Sequence, residues 1–352
     1  MWSARSKARP VRGVGRLNRD APARFVRYMQ AIAIDQTGGP DVLQVHSLDT
    51  PEPQAGEVLV KLEASGINFI DVYYRTGMYP VDAFPFVPGS EGAGTVERCG
   101  PGVTAFAPGD RVASGTMSRA YAEYAVVPAD KLVAVPADVA LRDAAALMLQ
   151  GMTAHYLCTD TFPLAKGQVA FVHAGAGGVG LLLTQLAKAK GATVITTVST
   201  PEKAALSKRA GADHTIDYTQ TDFVAATREF LGREHGVDVV YDSVGKTTWE
   251  QSMDLLRPRG YFVLFGASSG AVPPFNIQVL NTKGSLFATR PTLKNYIATP
   301  AEMQWRAREL FAAVGDGTLS LRVEHTYPLA DARRAHEDLE ARKTTGKLLL
   351  LS

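Results

Sequence analysis

The sequence predicts an α/β chain in which a doubly wound parallel sheet is joined to a mostly-β unit. Three observations carry this. From residue 168 to residue 265, apolar strands alternate with helical stretches, the pattern of a parallel sheet covered on both faces. A glycine-rich segment lies between the first of those strands and the helix after it. Residues 29–150, in contrast, read as short strands punctuated by turns.

The chain has 352 residues, enough for two domains, and its 46% hydrophobic and 20% charged residues exclude a disordered polymer. No apolar run is long enough to span a bilayer. Cys99 and Cys158 are the only cysteines, too few for a disulfide framework or a four-thiolate zinc site. A reducing, cytoplasmic location is the resulting expectation. Residues 1–28 carry Arg5, Lys7, Arg9, Arg12, Arg16, Arg19, Arg24 and Arg27 against Asp20. That segment holds a net +7 and leaves the remainder at −5. An acidic body argues against a nucleic-acid or membrane surface. The basic leader can be read as a transit peptide, as a disordered arm, or as an extension upstream of a start at Met29. Arg9-Pro10 and the glycines Gly13 and Gly15 break an amphipathic helix, so the last reading is expected.

Met29–Ile34 and Glu57–Leu62 read as strands, the second with clear alternation. Pro88-Gly89, Pro101-Gly102 and Pro108-Gly109-Asp110 supply turns, with strands at Gly94–Val96 and Asp110–Ala113. This half is expected to be a small β-barrel. Ala144–Leu149 and Thr153–Cys158 are expected as helical stretches. Then come strand Gln168–His173, helix Leu181–Lys190, strand Thr193–Val198, helix Lys203–Ala210, strand Val237–Tyr241, helix Trp249–Leu256 and strand Tyr261–Phe265. The chain closes with helix Ala301–Val314, strand Glu324–Tyr327, helix Asp331–Arg342 and strand Lys347–Leu351, which should return to the first domain.

Gly175-Ala176-Gly177-Gly178-Val179-Gly180 fits G-x-G-x-x-G and stands after a strand and before a helix. The three motif glycines, Gly175, Gly177 and Gly180, would serve the tight turn, the approach of a pyrophosphate and close helix–strand packing, with Gly178 also at the cofactor and the helix starting near Val179. The next strand ends in Val198-Ser199-Thr200 with Lys203 following and no carboxylate at its tip. A hydroxyl and a lysine suit a 2′-phosphate, so NADPH is expected over NADH. Lys203 also reads as a solvated residue in the first turn of a helix.

With these segments in place the chain resembles the medium-chain dehydrogenase/reductase superfamily over most of residues 29–352. In its zinc dehydrogenases a Gly-His-Glu segment and an upstream cysteine hold zinc. Ser90 and Asn68 stand at those places here, and a hydroxyl and an amide are poor zinc ligands. Gly66–Asp71, Tyr73–Tyr79, Ala174–Gly180, Tyr241–Gly245, Phe265–Gly270 and Thr289–Pro291 narrow the resemblance to zeta-crystallin-type quinone oxidoreductases. The resemblance implies a Rossmann domain at 152–288 and a GroES-like domain at 29–151 with 289–352. It implies NADPH as cofactor, no metal, and a homodimer joined along the Ser285–Thr289 edge.

By position, Gly177–Val179 would meet the pyrophosphate, and Ser199, Lys203, Tyr218 and Arg342 would surround the 2′-phosphate. Asn68, Tyr73, Tyr79 and Thr153 would lie by the nicotinamide and its ribose, the first three also positioning the acceptor. Ser243, Val244, Phe265, Gly266 and Ser268 would line the rest of the groove. Ala267 stands where close bacterial relatives are expected to have asparagine. Plainer readings exist: Tyr73 and Tyr79 as half-buried aromatics, Tyr218 as a loop cap, Arg342 at a helix end, Asp71 as a helix-start residue paired with Arg75, His173 as a packed strand residue. The implied reaction is metal-free reduction of a quinone, as hydride or single electrons. Reduction of enone or alkenal double bonds is the alternative. A non-catalytic NADPH-binding or RNA-binding crystallin-like role is a third reading, disfavoured by the acidic body.

Overall fold

The computed structural model describes residues 28–232 and 236–352. The basic leader, apart from Tyr28, lies outside the described residues.

Six strands form an all-parallel sheet in the order His214–Asp217, Thr193–Val198, Val169–Val172, Val237–Asp242, Leu256–Leu264 and Phe287–Thr289. The strand order reverses at Val169–Val172, whose four residues are all buried. The crevice outside its carboxyl end is therefore the topological switch point of the sheet, where ligands bind in such folds. The helices Gly178–Ala189, Pro201–Arg209, Phe223–Leu231 and Trp249–Asp254 connect the strands.

A second sheet runs His325–Pro328, Leu348–Leu351, Glu57–Ile67, Gly92–Cys99, Arg111–Ser114 and Val133–Ala134, with Tyr124–Pro128 also pairing Glu57–Ile67. The carboxy-terminal strands do return to this sheet, as expected. No ladder joins its two end strands, so it stays open where the turn pattern suggested a closed barrel. Turn chemistry sets strand connections but not closure, which depends on stagger and tilt that no local residue encodes.

The helix Leu141–Tyr156 joins the two halves. The sequence split it in two at Gly151, because glycine disfavours helix interiors. The structure carries it through Gly151, where an added Cβ would stand 2.8 Å from Leu147 and 3.3 Å from Leu310. Close packing of the neighbouring helix Pro300–Gly315 outweighs local propensity there. The helix packs on Ala64, Ala93 and Ala113 of one sheet and on Ala170, Val172 and Val239 of the other in a single apolar core. Tyr241 donates its hydroxyl to the Leu157 carbonyl at the end of this helix, at 3.1 Å. Gln150 and Thr153 are thereby fixed at the seam between the sheets.

Candidate active site

A cleft of about 1630 Å³ lies along this seam. Every residue assigned to the site from sequence lines it except Gly175. Gly175 acts beneath the surface: an added Cβ would stand 2.4 Å from Thr196 on the adjacent strand.

The glycine loop has the geometry its spacing predicts. Gly177 caps the helix Gly178–Ala189, whose first turn carries no acid. A Cβ on Gly180 would lie 2.3 Å from the Ala174 carbonyl, so only glycine lets helix and strand close this far. A Cβ on Gly178 would fall 1.8 Å from the Gln150 side chain. The loop's open face and the unpaired N–H groups of the helix start offer an anion cradle.

The four residues expected at a 2′-phosphate meet at one corner. Lys203 Nζ donates to Ser199 Oγ at 3.3 Å and to the Arg342 carbonyl at 2.7 Å. Arg342 donates to the Tyr218 hydroxyl at 3.0 Å. Neither cation is ion-paired to a carboxylate among the described residues. Burial and the neighbouring guanidinium push the Lys203 ammonium below its usual range. Lys203 stands half-buried in the first turn of the helix Pro201–Arg209, as its plainer reading has it, and Tyr218 is exposed.

At the far end Asp242 organises the groove, a residue that sequence reasoning passed over. Its Oδ1 accepts from the N–H groups of Val244 and Gly245 at 2.8 and 2.9 Å, and its Oδ2 from Thr248 and Ser252. The Ser268 N–H then reaches the Ser243 carbonyl at 3.1 Å. Gly266 passes so close that a Cβ would meet that carbonyl at 2.6 Å. Phe265 lines the same wall. His173, buried, bonds to Thr197 and Ser252 at 3.0 and 2.9 Å, and burial lowers its pKa. It is a packed strand-end residue, as expected.

Asn68 sits at the floor of the cleft, 5% exposed. Its Oδ1 accepts from Gln150 at 3.0 Å and Lys347 at 2.9 Å, and its Nδ2 donates to Glu91 at 3.0 Å. Glu91 and Lys347 are themselves ion-paired and buried. The Gln150 Oε1 atom is buried without a partner, an acceptor left over beside the glycine loop. Gln150, Glu91 and Lys347 carried no sequence signal, since they converge from three distant segments.

Tyr73 is buried, and its hydroxyl accepts from the Ala267 N–H at 2.8 Å. Position 267 contributes its main-chain N–H to this contact. Tyr79 packs edge-on to Tyr73 at 5.3 Å, and its hydroxyl accepts from Arg290 at 3.4 Å. Arg290 therefore brings a cation to the acceptor end of the cleft. Thr153 faces the cleft from the seam helix. The expected Asp71–Arg75 pair does not form. Arg75 pairs with Glu340 at 2.7 Å, drawn across to the carboxy-terminal helix Ala332–Glu340. Asp71 does serve as the helix-start residue, accepting the Asn68 N–H at 2.9 Å. Among the described residues no three His, Cys, Asp or Glu side chains converge to hold a metal. No helix among them is long and apolar enough to cross a membrane.

The arrangement fits a dinucleotide carrying a 2′-phosphate. An acid-free helix start would take the pyrophosphate, an unpaired cation corner the phosphate, and an aromatic-walled end the reacting ring.

Comparison with known proteins agrees. Residues 54–137 match the family described as alcohol dehydrogenase GroES-like domain, and residues 178–306 the family described as zinc-binding dehydrogenase. The chain is 46% identical to a quinone oxidoreductase of Pseudomonas aeruginosa, over 89% of this chain and 97% of that one. It is 42% identical to a 2-haloacrylate reductase of a Burkholderia species, over 92% and 99%. The solved structure of Escherichia coli quinone oxidoreductase complexed with NADPH superposes with a TM-score of 0.90 at 43% identity, covering 92% of this chain and 100% of that one. On this identity over nearly its whole length, with both of its halves matched, the chain belongs to the quinone oxidoreductases of the medium-chain dehydrogenase/reductase superfamily.

Proposed function

We propose that this chain is an NADPH-dependent oxidoreductase that reduces a quinone without a metal. The observation that carries the cofactor is the Lys203–Arg342 corner, two cations and two hydroxyls converging with no carboxylate partner among the described residues. It supports a reading in which Ser199, Lys203, Tyr218 and Arg342 hold the 2′-phosphate and Gly177, Gly178 and Val179 the pyrophosphate. Asn68 and Thr153 would border the nicotinamide, and Ser243, Val244, Phe265, Gly266 and Ser268 the remaining groove. When bound, NADPH supplies the hydride, and the protein's part is to orient the reactants and exclude water. Tyr73, tied to Ala267, fixes one half of the molecule against the other. Tyr79 and Arg290 would receive the acceptor, the guanidinium favouring negative charge on its oxygen.

The resemblance to a 2-haloacrylate reductase keeps reduction of an activated double bond as a second reading. NADPH consumption by the purified protein with an ortho-quinone and, in parallel, a linear enone separates the two. Turnover with the quinone is expected; turnover with the enone alone would move the assignment.

Two coarser features follow the family pattern. The division into a catalytic part (29–151 with 289–352) and a dinucleotide-binding part (152–288) is supported by which strands share each sheet. A homodimer through the sheet edge is supported by the Phe287–Thr289 strand, an edge with Phe287 51% exposed, which would be a liability if left bare.

A further inference from the structure

The Asp71 carboxyl is fully buried, yet only one hydroxyl separates it from the cleft. Ser90, half-buried and lining the cleft, lies with Oγ 3.2 Å from Asp71 Oδ1. That is the only side-chain hydrogen bond Ser90 makes among the described residues. Asp71 Oδ2 accepts from the Asn68 N–H at 2.9 Å and from the Tyr121 hydroxyl at 3.2 Å. Tyr121 in turn meets His336 Nε2 at 3.0 Å, and both are 0% exposed. Ser90 is thus the member of this chain that faces the acceptor.

The charges around Asp71 do not pair with it. Lys347, just before the last strand, attracts it but is bound to Glu91. Arg75, on its own helix, is bound to Glu340. Tyr74, Tyr121 and His336 complete the surroundings, and burial beside Arg75 holds His336 neutral, its pKa pushed down to about 3. Burial raises the Asp71 carboxyl to about 6, against the lowering effects of the Asn68 N–H, Lys347, Tyr121 and Ser90. A carboxyl poised there is protonated in part at neutral pH, as a proton donor needs to be.

Hydride addition leaves the acceptor anionic, as a hydroquinone monoanion or an enolate, and one proton short of product. Resting on the reductase reading above, we propose that Ser90 and Asp71 form the proton-delivery couple of this site. The Ser90 O–H breaks as its proton forms the new O–H or C–H bond on the acceptor. Ser90 Oγ takes the proton of the neutral Asp71 carboxyl, which becomes a carboxylate. Nothing is oxidised or reduced in this step; each broken O–H bond leaves its electron pair on the oxygen that gave up the proton. Water in the cleft reloads Asp71 through Ser90 once product has left. Tyr121 and His336 act as positioning residues that orient the carboxyl.

The test uses the full chain as wild type, Ser90→Ala and Asp71→Asn. The first readout is the pH profile of kcat/KM with a linear enone and with an ortho-quinone. The second is the infrared carboxyl band of the unliganded protein between pH 4 and 8. Wild type should lose activity on the acceptor it reduces about tenfold per pH unit above roughly pH 6. The Ser90→Ala variant, which keeps the helix cap intact, should lose at least about tenfold at pH 6 and lose that limb. A buried carboxyl band titrating near pH 6 should be present in wild type, shifted in Ser90→Ala and absent in Asp71→Asn. An active wild type with a Ser90→Ala variant unchanged in rate and profile overturns the couple alone. A wild type without a carboxyl band titrating above pH 5 does the same. A wild type inactive toward both acceptors overturns the reductase reading and the couple with it.

Discussion

The Lys203 ammonium donates to the Arg342 main-chain oxygen at 2.7 Å, so two cationic side chains share one corner of the cleft with Ser199 and Tyr218. Such a corner is costly unless an anion enters it. Replacing Lys203 by Ala removes a charge-assisted contact worth about 1.5–3 kcal/mol. The expected result is a Kd for NADPH raised roughly tenfold to a hundredfold, with NADH binding unchanged. Fluorescence titration with both cofactors checks it; equal losses for the two would remove the corner from cofactor selection.

Gly180 is fixed by sterics rather than by flexibility. Its Cβ in a Gly180→Ala variant would lie 2.3 Å from the Ala174 carbonyl and 3.0 Å from Gly175 Cα, and main chain cannot yield as a side chain can. Overpacking of this kind costs about 1–3 kcal/mol. A lowered thermal midpoint together with weakened NADPH binding is expected, because the same displacement opens the glycine loop. A variant with unchanged midpoint and affinity would contradict this.

Tyr73 ties the two halves of the molecule through the buried Ala267 N–H. In Tyr73→Phe that donor loses its acceptor, at a cost of about 1–3 kcal/mol. Denaturant titration should register the loss. Burial also pushes the Tyr73 hydroxyl pKa above its ordinary value.

His336 and Asp71 pull stability in opposite directions with pH. The folded chain holds His336 at about 3 against 6.5 for the free side chain. Its contribution is therefore full above pH 6.5 and is lost as pH falls toward 3. Asp71 is raised from 3.8 to about 6, so its contribution is full below pH 3.8 and is lost as pH rises through 6. Denaturant unfolding at pH 6.5 and 4.5 should find His336→Gln losing about 2 kcal/mol less on acidification than wild type. Equal losses would show that His336 is not buried neutral.

Much of the fold was legible because it rests on local chemistry. The strand, glycine loop and helix from Val169 to Ala189 follow from periodicity and turn residues. The missing acid after Val198 was an absence visible in a short segment. What sequence did not reveal depends on distant convergence. His214–Asp217 and Phe223–Leu231 were overlooked because a four-residue strand and a nine-residue helix carry little pattern. The helix through Gly151 needed Leu310, about 160 residues away. Arg75 reached Glu340 rather than Asp71, because i, i+4 spacing permits a pair and tertiary packing decides it. The Asn68–Glu91–Lys347–Gln150 floor draws on four segments whose adjacency only the folded chain reveals.

The most direct test of the central claim is the oxidation of NADPH and of NADH by the wild-type protein with one ortho-quinone. The account predicts quinone-dependent oxidation of NADPH, with kcat/KM at least about tenfold above that for NADH, the discrimination expected from roughly 1.4 kcal/mol of phosphate binding. Equal kcat/KM for the two cofactors, or oxidation of neither, would contradict it.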